Sequence, residues 1–344
     1  MKMNLTKIIL SAFLLASLTV GELAGQEFTK TGTAAAQFLK IPVGAKAIAM
    51  GSTFTSMADD ISALYWNPAG SASFERFELG LTRMEWIAGI TYNYFGLVLP
   101  TGDAGTFGVF VSQLSSGDIE VTTIDAPKGT GTFYEAADIA VGVTYARDIM
   151  EKVSAGVAVK YVSQRIANTS AQSVAFDVGV LLRTGFHGMK LGLAFQNFGP
   201  TLQMSGTDLI KPVDLDAASE INPVIEASLS TQSYALPGSY RASVSMPLVG
   251  PGGVLESGRS TFIAGIDAIH HLDSKEHYSI GGEYGFSQTL FLRAGYLFNR
   301  DQEGLTAGGG VRLGTGASAF TFDYAYAEFG VFSAIHVFSV GVRL

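Results

Sequence analysis

Cysteine is absent from all 344 residues, which excludes disulfides, thiolate metal sites and cysteine nucleophiles. Charge is scarce: Asp, Glu, Lys and Arg make up 15% of the chain, against roughly 25% in soluble domains. No apolar run approaches the about 18 residues that mark a membrane-crossing helix. There is no basic excess either. The net charge is −8, which argues against nucleic acid as a partner. With a positive mean hydropathy of +0.29, these shortages point to a surface that is not all in water. A chain without spanning helices can sit in a membrane only as a closed β-barrel.

What the sequence does have is glycine, 41 residues, and alternation. Lys2 and Lys7 precede an apolar run from Ile8 to Val20, too short to span and of the form of a secretory signal peptide. A cut near Gly25 is expected, giving a leader over 1–25, an N-terminal segment over 26–76 and a barrel over 77–344. From Phe77 onward, segments of about ten residues alternate with period two, the pattern of transmembrane strands. In "VSAGVAVKYV" Val153, Ala155, Val157, Val159 and Tyr161 share one face, and Ser154, Gly156, Ala158 and Lys160 the other. Fifteen candidate strands run from 77–86 to 334–344. Barrels of this kind have even strand numbers, so the weak break at "SSGD" is read as a bulge in one strand over 104–124. That gives fourteen, places both termini in the periplasm, and makes 199–235 a long extracellular connection. The last strand alternates up to Leu344.

The segment "GAKAIAMGSTFTSMADDISALYWNPAG", residues 44–70, looks like none of the strands. Asp59 or Asp60 is placed to cap a short helix beginning near Ile61. Pro68 ends that helix and forces Asn67 out of the helical region. Gly70 permits a tight turn. The small residues let the chain thread a lumen. Capping and pairing with lumenal cations is one role for the two acids; ligand contact or gating is the other.

Several stretches carry a family resemblance: Gly32 to Leu39, Gly44-Ala45-Lys46-Ala47, Met50-Gly51, Ala58-Asp59-Asp60, Tyr65-Trp66-Asn67-Pro68-Ala69-Gly70, "SSGDIEVTT", "GVAVKYVSQRI", "AFDVGVLLRT", "FQNFG" and "FDYAYAEFG". Together they resemble the PorV/PorQ family of outer-membrane proteins, within the FadL-like barrels. Ser52 stands where the resemblance leads one to expect Gly or Ala. The resemblance implies an all-β, fourteen-stranded antiparallel barrel with an N-terminal lumenal hatch containing Asp59, Asp60, Asn67, Pro68 and Gly70. It implies an outer-membrane location among lipids, no cofactor, no metal and no catalytic residues. For function it implies a component of type IX secretion that receives cargo through a C-terminal signal domain. The alternatives are a FadL-like passive transporter of a hydrophobic small molecule, such as a long-chain fatty acid, and a lipid-modifying enzyme.

Other constellations read more plainly. Asp138, Lys160, Asp177, Arg183, Asp267, Glu283, Arg293, Arg312, Asp323 and Arg343 fall on the expected lumen face, where charges pair across strands. His270, His271 and His277 lie near acids at a strand end, as a solvated loop or a metal site. "TAGGGVRLGTG" lacks the Gly-Lys-Ser/Thr of a phosphate loop. Trp86 is expected in an interfacial girdle at the outer rim.

Overall fold

The computed structural model describes residues 32–214, 224–314 and 318–344; the expected leader lies outside them. Fourteen strands form one closed antiparallel ring. They are β1 (Glu78–Glu85), β2 (Thr91–Pro100), β3 (Thr106–Glu120), β4 (Phe133–Met150), β5 (Val153–Ile166), β6 (Thr169–Arg183), β7 (Lys190–Phe198), β8 (Ser239–Val249), β9 (Ser260–His271), β10 (His277–Phe286), β11 (Leu290–Phe298), β12 (Glu303–Leu313), β13 (Ala319–Phe329) and β14 (Ala334–Arg343). Each pairs with its neighbours in the chain. β1 closes on β14, with Leu79 opposite Val342. A short piece, Ser205–Gly206, adds to the end of β6. The merged strand is β3, and its ladder slips between Ser115 and Asp118 at "SSGD".

The alternation is inverted relative to a soluble sheet. On β5, Val157, Val159 and Tyr161 are 44–47% exposed, while Ala158 and Lys160 between them are buried. The exposed apolar face belongs in hydrocarbon, and the ring leaves no strand edge unpaired there. β3 to β6 run 14 to 18 residues. The other strands run 8 to 12. The extra residues, at about 3.3 Å each, raise one side of the wall. It stands at the rim that carries the connections 121–132 and 199–238, called here the long-loop rim. Within 199–238, Ile210–Val213 and Ile225–Ser228 form a separate two-stranded ribbon. The opposite, short-turn rim carries 151–152 and 287–289, and its longest connection is 250–259.

The chain before β1 runs inside the ring. Ala35 donates to Ala235 O (2.9 Å) at the long-loop rim, whereas Leu344 donates to Phe77 O (2.9 Å) at the short-turn rim. The described chain therefore enters at one rim and β1 begins at the other; the N-terminus of the expectation lies outside the described residues. An even strand count fixes where β1 begins, but the inner segment ahead of it traverses the lumen. That segment holds a turn at Gln37–Lys40, helix α1 (Ala45–Ala49), helix α2 (Ala63–Trp66) and a turn at Pro68–Ser73. Its Met50, Phe54, Leu64 and Trp66 are fully buried. Glycines on the wall make the approach: a Cβ on Gly281 would stand 2.0 Å from Met50 O, closer than any real contact. Ser52 takes φ 61°, a left-handed conformation that glycine adopts more easily.

A candidate site between the inner segment and the wall

The inner segment is seated by the Asn67–Gly70 block. Asp60 Oδ1 accepts from Ser62 N (2.8 Å) and Ser62 Oγ (2.5 Å), fixing the turn that leads into α2. Asn67, ahead of Pro68, is extended (φ −159°) and ends the helix. Its side-chain amide donates to Thr55 O (2.9 Å) and to Val180 O of β6 (3.2 Å), and its Oδ1 accepts from Ala69 N (3.1 Å). Pro68 lies on Gly156 of β5. Gly70 lies within the tight turn Pro68–Ser73, and a further reason makes it glycine. Its φ is not positive; instead, a Cβ there would stand 2.3 Å from Ala58 O. It serves close packing within the segment rather than a left-handed turn.

The wall answers this block with a bulge in β7. Gln196 and Asn197 together face the single residue Asp177, and Asn197 sits at φ 62°. Asp177 accepts from Asn197 N (2.7 Å) and pairs with Lys160 (2.8 Å), both side chains almost fully buried. The bulge turns Gln196 inward, where its amide donates to Tyr65 O and Trp66 O and its Oε1 accepts from Arg241 Nε (2.8 Å). Sequence reasoning missed Gln196 and Arg241 as seats of the segment. The only signal was "FQNFG" itself, which carries no hint of the bulge.

Asp59 lies apart from Asn67, Pro68 and Gly70, facing the short-turn rim with Asp60. It pairs with Lys46 of α1 (2.8 Å), which also reaches Glu283 (3.7 Å). Burial disfavours the charge of Lys46, but the carboxylates of Asp59 and Glu283 outweigh it and hold the ammonium above its ordinary value. Burial likewise pushes Asp59 upward, yet the Lys46 charge keeps it below the usual carboxylate range. Asp60, for which burial prevails, is raised. Most of the expected lumenal charges do pair: Arg293 with Glu283 (2.6 Å) and Asp323 (2.6 Å), Arg343 with Glu78, and Arg183 with Asp148 (2.7 Å). Asp138 accepts from Gln164 (2.9 Å), and Asp267 from Thr55 N (3.1 Å).

Toward the long-loop rim, the segment and the wall leave two adjoining chambers of about 30 Å³ each. The first is apolar. It descends from Trp86 and Phe329 past Met84, Ala327 and Val337 to Pro42 and Ile48 of the inner segment. Trp86 sits at the rim, but its ring packs edge-on to Phe329 (5.1 Å) over this recess rather than in a lipid-facing girdle. The second chamber is polar, with Arg241, Arg300, Lys40 and His277 on its wall. Leu297, Ser52 and Glu303 border both. The three clustered histidines do not converge. His270 bonds Glu276 (2.9 Å), His277 bonds Asn299 O (2.7 Å), and His271 turns inward. Among the described residues no group of three His, Asp or Glu is placed to hold a metal.

Solved structures share this architecture. The monoaromatic hydrocarbon channel CymD superposes with a TM-score of 0.55 at 12% identity, covering 88% of this chain and 97% of that one. The toluene transporter TbuX of Ralstonia pickettii gives 0.54 at 12% identity, with the same coverage. The toluene transporter TodX of Pseudomonas putida gives 0.53 at 15% identity, again covering 88% and 97%. At such identities the likeness is one of fold, and it meets the expectation of a fourteen-stranded barrel of the FadL-like kind. No curated protein matches the chain by sequence. One family model does, over residues 16–209, more than half of the chain; the chain thus belongs to the uncharacterised protein family UPF0164.

Proposed function

We propose that this barrel is a passive carrier of a small hydrophobic molecule across the outer membrane, with the inner segment as its hatch and the long-loop rim outside. The observation that carries this reading is the apolar recess running from Trp86 and Phe329 at the rim to Pro42 and Ile48 of the hatch. Concave apolar walls bordered by a few polar groups suit a small apolar ligand, and at about 30 Å³ the recess is an entry that such a ligand widens by displacing the hatch. The barrels of the same fold are described as a channel for monoaromatic hydrocarbons and as toluene transporters, which supports the same ligand class here. A long-chain carboxylate is the other candidate, because its head group would meet Arg241 and Arg300 in the adjoining chamber. The protein performs no chemistry of its own in this reading.

Binding is tested in Trp66→Phe, which leaves Trp86 as the one tryptophan of two. A brominated alkylbenzene and a brominated fatty acid are titrated against the folded barrel in detergent. Saturable quenching by either supports the recess and chooses the class. Quenching that rises linearly and is unchanged by Ala327→Phe, which fills the recess, overturns it.

Docking of a secreted cargo domain is a second reading, favoured by one observation. The connection 199–238 exposes Ile210, Val224, Ile225 and Leu229 beyond the strands, where lipid does not cover them. Pull-down from native outer membranes decides: recovery of secretion components and cargo supports this reading, and their absence leaves the carrier of small molecules.

A further inference from the structure

On the other side of the inner segment, toward the short-turn rim, lies a cavity of about 70 Å³. Its chemistry is unlike that of the apolar recess. It is lined by four cationic and four anionic side chains. Six of these charges are satisfied in pairs: Lys46 with Asp59, Arg293 with Asp323, and Arg343 with Glu78. One charge of each sign remains. Asp60 uses Oδ1 to hold the Ser62 turn and has no cationic partner among the described residues. Arg312 rests over the ring of Phe291, 5.2 Å from its centroid, and has no carboxylate partner among the described residues.

Among its apolar side chains the wall also offers hydroxyls. Thr82 and Ser339 share a hydrogen bond (2.8 Å), and Ser339 also accepts from Ala45 N (2.9 Å). Thr321 borders the same space. A water needs about 10–15 Å³ of such space, so the cavity holds several waters or one solute of alanine's size. A surplus of one sign would recruit a simple ion. Here the sum is zero, with one open acceptor and one open guanidinium, and a solute bearing both charges can meet them together.

We infer that this cavity is a binding site for a small zwitterion, its ammonium on Asp60 and its carboxylate on Arg312. The site is separate from the apolar recess, and its failure would leave the hydrophobic-carrier reading untouched.

Equilibrium dialysis of the full-length barrel in detergent with radiolabelled alanine tests this, with acetate and methylammonium as single-charge competitors. Saturable alanine binding is expected, with each competitor at least about tenfold weaker, because each forfeits one charge-assisted contact. Asp60→Asn and Arg312→Gln should each weaken alanine about tenfold, with folding confirmed by the heat-dependent gel shift of an intact barrel. The competition on the unaltered protein stands even where a variant does not fold. The inference is overturned by the absence of saturable alanine binding, by acetate or methylammonium competing as well as alanine, or by both folded variants binding alanine like the parent.

Discussion

The guanidinium of Arg241 lies over the indole of Trp66, 4.6 Å from the ring centroid. One residue belongs to β8 and the other ends α2, so the contact clamps the inner segment to the wall. It works together with Gln196, which takes Arg241 Nε on one side and the Tyr65 and Trp66 carbonyls on the other. Replacing Arg241 with Leu removes a stacked cation worth about 0.5–2 kcal/mol and leaves Gln196 Oε1 with only the long contact from Ser239 Oγ (3.5 Å). The inner segment should become cleavable by added protease while the barrel keeps its gel mobility. Arg241→Lys should fall between the two, since an ammonium reproduces neither the planar stack nor the directed Nε–H.

The glycine contacts give a cleaner lever. A Cβ at Gly281 would meet the Met50 carbonyl at 2.0 Å, and one at Gly179 would meet Asn67 Oδ1 at 2.0 Å. Gly281→Ala and Gly179→Ala should therefore unseat the inner segment without breaking the ring. Deletion of 44–70 should leave a folded barrel. In a liposome swelling assay all three should admit small sugars that the parent excludes.

The wall bulge depends on a buried ion pair. Asp177 and Lys160 are 2.8 Å apart, with side chains 1% and 6% exposed. Asp177→Ala strands the ammonium and frees the Asn197 amide, costing about 3 kcal/mol or more. Replacing both partners with apolar residues of similar volume should recover most of that. Urea midpoints of the detergent-solubilised barrel measure both.

Acid should loosen the end of the inner segment at the long-loop rim. Asp273, in the connection after β9, accepts from Lys40 (2.5 Å) and Gln37 (2.8 Å). Burial pushes its carboxyl up, but these partners prevail and hold it below the usual range. A carboxyl depressed in the folded state contributes stability above its unfolded value of about 3.9 and loses it as pH falls through the folded value. Hydrogen-exchange protection at Gln37–Lys40, taken relative to the intrinsic exchange rate at each pH, should thus be flat near neutral pH and fall below about pH 4. Asp273→Asn should show the lower protection at pH 7.

The strands were legible because the solvent on the outer face is hydrocarbon. It imposes strict alternation, and an irregularity as small as "SSGD" shows against it as a bulge. The helix stop at Asn67-Pro68 and the abundance of small residues were legible for local reasons, since each acts within a few residues; the expected acidic cap is not formed, because the helix begins at Ala63 with Ser62 at its N-cap and Asp60 holds the turn ahead of it. The partners of the inner segment were not. Lys46 meets Asp59 across a turn of chain and Glu283 across the lumen, and nothing in their spacing ties them. The β7 bulge depends on a left-handed Asn197, a conformation that "FQNFG" permits without requiring. The inward turn of Trp86 depends on Phe329 arriving from β13, and the crossing of the lumen ahead of β1 leaves no trace in a strand count.

The most direct measurement is uptake of a labelled alkylbenzene by cells whose intact outer membrane carries the protein, compared with cells carrying Ala327→Trp and cells carrying no such barrel. The expected result is uptake well above the barrel-free cells, falling back to their level when Ala327→Trp fills the recess beside Trp86. Uptake equal in all three, or undiminished by the filled recess, would contradict a carrier that works through that recess.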